Sequence, residues 1–161
     1  MRIFLFIVLF HLTANGQSDS YRKMLSNYYT DFPTISCNDA ANMVGKDNVY
    51  FLDTREQKEF DVSHIRTAQC VGFDNFKMSS VNEIPKDGTI VVYCSIGARS
   101  QDIGEKLKKA GYTDVRNLYG GIFHWNNSGY RMVNNAGERT SKIHGFSKEW
   151  GKWITRGKVI Y

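Results

Sequence analysis

The stretch Val91-Val92-Tyr93-Cys94-Ser95-Ile96-Gly97-Ala98-Arg99-Ser100 decides how this chain is read. With Ile90 it begins as an unbroken apolar run of strand length, the pattern of a strand covered on both faces in a parallel sheet. The run ends at a thiol. A short loop with Gly97 at its middle follows, and helical spacing (Ile103, Leu107, Ala110) carries on to Gly111. Cys94 is thereby placed at the carboxyl edge of a sheet, where ligands of open α/β sheets bind. Loop amides and a helix N-terminus converge at such an edge and favour a thiolate and any anion it attacks. Gly97 suits a loop that curls its amides inward, since such a turn needs φ > 0. A lone cysteine is more often a small buried hydrophobe; the coincidence of strand end, glycine loop, arginine and helix start argues for an activated one.

Outward from this stretch the same alternation repeats. Val49-Tyr50-Phe51-Leu52 is a second buried run ending at Asp53, and weaker strands are expected at residues 69–73 and 115–118. Ser36 caps an expected helix that runs to Val44 and stops at Gly45. Strands alternating with helices predict an α/β fold, with a mostly parallel central sheet and helices on both faces. Before Pro33, Tyr21, Met24, Leu25 and Tyr28 recur at helical spacing and predict a lead-in helix within residues 17–35. After the main domain, taken as residues 36–134, an extension over 135–161 carries six Lys/Arg and two tryptophans. Its Phe146, Trp150, Trp153 and Ile154 share one helical face, which predicts an amphipathic C-terminal helix docked on the domain rather than a partner site.

The chain has 161 residues, 42% hydrophobic and 23% charged, which excludes a disordered or collagen-like polymer and suits one packed domain. A net charge of +5 is too mild and too evenly spread to predict nucleic-acid binding. Met1-Arg2, the apolar run Ile3 to Phe10 and the small residues Ala14 and Gly16 form the pattern of a secretory signal over residues 1–16. A membrane span needs about 18 apolar residues, so none is expected in the mature protein. Export to the periplasm or the medium follows from that reading. Cys37, Cys70 and Cys94 are an odd number in an oxidising compartment: Cys37 and Cys70 are either buried thiols or one disulfide. Without a Cys-x-x-Cys pair, and with scattered histidines, neither a metal site nor a cofactor is expected.

Together these residues resemble the single-domain rhodanese sulfurtransferases. Leu52-Asp53-Thr54-Arg55-Glu56 with Glu59-Phe60 matches the first signature of that family, Ser63-His64-Ile65 with Ala68 the second, and Cys94 to Ser100 the active loop. Leu118-Tyr119-Gly120-Gly121-Ile122 with Trp125 and Gly129 matches its closing signature. Arg66 and Thr67 depart from the expected Pro-Gly, and Arg131 stands where a proline is common. The resemblance implies that Cys94 takes a sulfane sulfur from a small anionic donor such as thiosulfate, holds it as a persulfide and passes it to a thiol, cyanide or a protein.

On that reading the amides of Ser95, Ile96, Gly97, Ala98, Arg99 and Ser100 surround the terminal sulfur, and Ser95 and Ile96 line the mouth. Arg99 either orients the anionic donor or pairs with Asp102 or Glu105; Ser100 donates to the cysteine sulfur or caps the helix. Asp53 and Arg55 border the pocket or serve architecture. His64 and Trp125 read as packing residues. Two rival functions remain: a persulfide-carrying or purely binding module for a protein partner, and a cysteine phosphatase or arsenate reductase. Phosphatases of related architecture carry one more residue between cysteine and arginine than the four found here. The shorter contour, by up to about 3.3–3.6 Å, suits a single sulfur better than a phosphate.

Overall fold

The computed structural model describes residues 18–161, so the expected export signal lies outside the described residues. Ser18 caps α1 (Asp19–Leu25) by accepting from the Tyr21 amide. The chain continues through β1 (Thr34–Ile35), α2 (Cys37–Ala41), β2 (Val49–Asp53), α3 (Gln57–Val62), β3 (Gln69–Cys70) and a 3-10 turn at Met78–Val81. Then come β4 (Thr89–Tyr93), α4 (Ala98–Lys109), β5 (Asp114–Leu118) and α5 (Gly121–Asn127). Ser36 caps α2 as expected, but the helix ends three residues earlier than Val44, in a turn that reaches Gly45.

Strands β1 to β5 form one sheet in the order β1-β5-β4-β2-β3, every pair parallel. The alternation of side chains along its central strands divides the core into two layers. Phe51, Val91, Tyr93 and Leu118 face one cluster, with Tyr21 and Leu25 of α1 and Ile122 and Trp125 of α5. Leu52, Ile90 and Val92 face the other, with Ile103 and Leu107 of α4. Ile90, Val91 and Val92 are wholly buried, each worth about 1.5–3 kcal/mol relative to exposure. That two-sided burial is why these strands read as continuous apolar runs.

All three cysteines are free. Cys37 opens α2 beside β5, its Sγ 3.9 Å from the Tyr119 carbonyl, whereas Cys70 ends β3 at the opposite edge. A sheet of this width separates them by far more than the 4.4–6.8 Å between the Cα atoms of a disulfide. The disulfide alternative is thereby removed.

The extension differs most from expectation. After β6 (Met132–Val133) pairs antiparallel with β7 (Arg139–Thr140), β8 (Lys142–His144) pairs in parallel with β9 (Lys158–Ile160). Between these last two strands lies only a four-residue helix, α6 (Lys148–Gly151). A helix from Phe146 to Ile154 is not formed, because Phe146 takes φ +63°, its amide donating 2.9 Å to the His144 Nδ1. Trp150, Trp153 and Ile154 still pack on the α1/α5 layer: Trp153 lies 5.5 Å from the Tyr21 ring, and its carbonyl accepts from Asn127 Nδ2. Among the described residues no helix is long and apolar enough to cross a membrane.

Trp153→Ala is expected to cost about 2 kcal/mol, lowering the melting temperature by roughly 4–8 °C in a circular-dichroism melt; an unchanged melt would show that the extension is not part of the core. Thr67, standing where the family pattern has glycine, takes φ +70°, a genuine outlier for a β-branched residue. Thr67→Gly is therefore expected to stabilise by about 1 kcal/mol in the same assay.

Candidate active site

Cys94 follows β4 directly and is 1% exposed. The loop that carries it is defined by where its carbonyls go. The Cys94 carbonyl accepts from the Ile122 amide at 2.9 Å and the Ser95 carbonyl from the Phe123 amide at 3.1 Å, both at the start of α5. The Ile96 carbonyl accepts from the Tyr29 hydroxyl at 2.7 Å. The Gly97 carbonyl accepts from Asn117 Nδ2 at 2.8 Å and from the Gln101 amide at 3.2 Å. Four successive carbonyls are thus held by the surrounding scaffold, which leaves the loop amides for the interior. The Gly97 amide donates to Cys94 Sγ at 3.2 Å. The amides of Ala98, Arg99 and Ser100, the first turn of α4, bond to no protein acceptor among the described residues. This is a helix N-terminus aimed beside a thiol, the arrangement that stabilises an anion.

Two glycines make the loop possible. Gly97 lies at φ +110°, and a Cβ there would collide with the Tyr29 hydroxyl. Gly121 lies at φ +57°, where a Cβ would strike the Cys94 and Ser95 carbonyls. The close approach of α5 to the loop requires a residue without a side chain. Tyr29 ties the parts together: its hydroxyl also accepts from the Gly120 amide at 2.6 Å.

A pocket of about 130 Å³ opens over Cys94, walled by Ser95, Ile96, Ala98 and Arg99 and roofed by Tyr28, Phe146 and Trp150. Arg99 faces it but is engaged. Its Nη1 and Nη2 each donate 2.9 Å to a Glu59 oxygen, and Nη2 also donates 3.1 Å to Ser95 Oγ. Glu59 is fully buried, and its amide partner at the N-terminus of α3 is Glu56. Burial pushes its carboxyl up, but the hydrogen bonds and charge of Arg99, the charge of Arg55 and the bond from the Glu56 amide hold it below the ordinary value.

Residues 36–128, more than half of the chain, match the Rhodanese-like domain family. The chain belongs to that family. The probable adenylyltransferase/sulfurtransferase MoeZ of Mycobacterium tuberculosis is 36% identical over 75 residues, covering 46% of this chain and 19% of that protein. The chain thus spans about a fifth of the length of that relative. The solution structure of a rhodanese-like domain from Anabaena sp. superposes with a TM-score of 0.59 at 21% identity, over 67% of this chain and 83% of that one. The thiosulfate sulfurtransferase of Pseudomonas aeruginosa gives 0.57 at 23% identity, over 64% of this chain and 20% of that one. At these identities the structural likeness concerns the fold. Family membership with a sulfurtransferase relative supports a sulfurtransferase-type function.

Within this rhodanese fold several expected roles are reassigned. Asp53 and Arg55 do not border the pocket. Both are fully buried and form an internal ion pair at 2.6 Å, from which Arg55 Nη2 reaches on to the Ser63 carbonyl. Arg55 Nη1 has no hydrogen-bond partner among the described residues; the guanidinium carbon lies 6.0 Å from the Tyr93 ring centre. Arg99 pairs with Glu59, not with Asp102 or Glu105. Ser100 Oγ neither reaches the sulfur nor caps α4, for which Gly97 is the N-cap: it donates 2.8 Å to Asn117 Oδ1 and so orients the amide that holds Gly97. His64 is a packing residue, stacked on Phe60 and bonded to its carbonyl. The roles of Tyr29 and Asn117 are not legible in the sequence, because each serves a loop distant along the chain; a tyrosine just off the α1 apolar face and an asparagine inside a strand pattern are the local signals.

The Glu59–Arg99 pair has a pH signature. A carboxyl held below its ordinary value of 4.5 stabilises the fold fully above that value, and the contribution is lost as pH falls through the lower folded value. Glu59→Gln is expected to cost about 3 kcal/mol near neutrality and to melt progressively closer to the parent as pH drops below 4.5. Parallel melting curves from pH 7 to 3 would contradict this assignment.

Proposed function

We propose that this protein is an exported sulfurtransferase that moves a sulfane sulfur through a persulfide on Cys94. The observation that carries the reading is the loop whose four carbonyls are tied outward while the Gly97 amide meets Cys94 Sγ. The thiolate attacks the outer sulfur of a donor such as thiosulfate, the donor's S–S bond breaks, and sulfite departs with the bonding pair. The terminal sulfur of the new persulfide carries the negative charge and rests among the unspent amides of α4, a preorganised donor set that needs no general base. An acceptor thiolate or cyanide then attacks that terminal sulfur, and the Cys94 thiolate is released. Both steps are nucleophilic displacements at sulfur, which require no acid or base against the cysteine.

Arg99 acts in this scheme as a positioning residue. Through Ser95 and Glu59 it joins the loop to α3. The chain's resemblance to the MoeZ sulfurtransferase region supports the chemistry, and the apolar run of residues 3–10 supports export.

Incubation with excess thiosulfate or a thiosulfonate should add the mass of one sulfur atom to the intact protein, and cyanide should remove it. Cys94→Ser should abolish the gain and lower thiocyanate formation by about 10⁴-fold or more. A protein that gains sulfur from neither donor, or gains it equally in Cys94→Ser, overturns the reading.

A further inference from the structure

The roof of the Cys94 pocket comes from outside the family-matched region: Tyr28 precedes it, and Phe146 and Trp150 follow it. Tyr28 and Trp150 meet edge to face at 5.7 Å. Phe146 is half exposed and holds φ +63°, an outlier for an aromatic residue, which its amide bond to His144 maintains. That conformation sets the Phe146 ring 4.9 Å from the Arg99 guanidinium, the one cation in the pocket wall among the described residues. A strained backbone that buys no burial for its own side chain points to a role for the ring at the mouth.

The electrostatics of the wall narrow what can enter. Both terminal nitrogens of Arg99 donate to Glu59, which balances its charge, and its face is covered by Phe146. The loop amides can take one negative charge, that of the sulfur being transferred. A second charge, such as that on the sulfonate end of thiosulfate, would lie against aromatic rings, and among the described residues the cation of the wall is already paired with Glu59. Removing a charge from water without a partner is costly. The volume of about 130 Å³ falls well below that of drug-sized sites but is close to the apolar cavity of about 150 Å³ that takes up benzene.

We infer that Tyr28, Phe146 and Trp150 form a subsite for the organic group of the sulfur donor, selecting singly charged donors that bear one aromatic or compact apolar group. This inference rests on the persulfide reading and names its substrate class. A thiosulfonate meets the requirement: attack by the Cys94 thiolate on its outer sulfur breaks the S–S bond and releases a sulfinate, with no oxidant or proton needed.

The test measures the second-order rate of sulfur gain on Cys94 by intact mass, using benzenethiosulfonate, methanethiosulfonate and thiosulfate. The first two share a leaving-group type and differ in the group the subsite would hold. In the parent protein benzenethiosulfonate should load at least about tenfold faster than either of the others. Phe146→Gly removes the ring at a position whose backbone suits glycine, and Trp150→Leu removes a second wall. In both, the benzene-to-methane ratio should fall to within about threefold. A parent ratio near one, thiosulfate loading as fast as benzenethiosulfonate, or a preference that Phe146→Gly retains overturns the subsite and leaves the persulfide chemistry standing. Sulfur gain from none of the three donors removes the persulfide reading and this inference together.

Discussion

Everything at this site hangs on how the backbone reverses between Cys94 and Ala98. A tight loop that presents amides to its interior must find other partners for its carbonyls, because a buried carbonyl without a donor costs about as much as a lost hydrogen bond. Here each of the four has one, and the donors come from α5, from Asn117 on β5, from α4 itself and from Tyr29 near the end of the lead-in segment. The nest is therefore a property of the assembled sheet edge. Residues 94–97 taken alone would have no reason to hold it.

The second constraint is charge. Two carboxylates and one guanidinium are buried near the cysteine and a second guanidinium is partly buried, paired as Arg55 with Asp53 and Arg99 with Glu59. Buried ions survive only with close partners and further hydrogen bonds, and both pairs have them through Ser63 and Ser95. The pairing makes the arginines architectural. It also leaves the amide dipoles as the local source of positive potential, and these act over one turn of helix rather than across a surface. A site built this way distinguishes ligands by the size and polarity of what accompanies the reacting atom. In this chain that decision passes to the aromatic roof.

Some of this was plain from the order of residues. The runs Val49–Leu52 and Ile90–Tyr93 appear as strands, and the helix after Cys94 ends at Lys109, just short of the expected stop at Gly111. Gly97 has the positive φ that an inward-curling loop requires. These features rest on local rules: burial on both faces, helical period, and the steric freedom of glycine. The extension is less legible in the sequence. Its aromatic spacing fits a helix, yet the Phe146 amide bonds to the ring of His144 and the chain instead builds a parallel strand pair around a single helical turn. Trp150 and Trp153 still reach the core, because the spacing of apolar groups constrains what is buried more tightly than the backbone that buries it.

Composition, period and motif established a parallel α/β sheet with a thiol at its carboxyl edge, since each is written in residues close along the chain. Which charge faces which was beyond their reach. Arg99 had acidic neighbours three and six residues away, and its actual partner stands forty residues earlier; Ser100 meets Asn117, and Gly97 meets Tyr29. Such pairings follow from the order of strands across the sheet, which brings distant segments to one edge. A hydrogen bond has a length of about 3 Å and no memory of separation along the chain, so the fold had to be in hand before the site could be read.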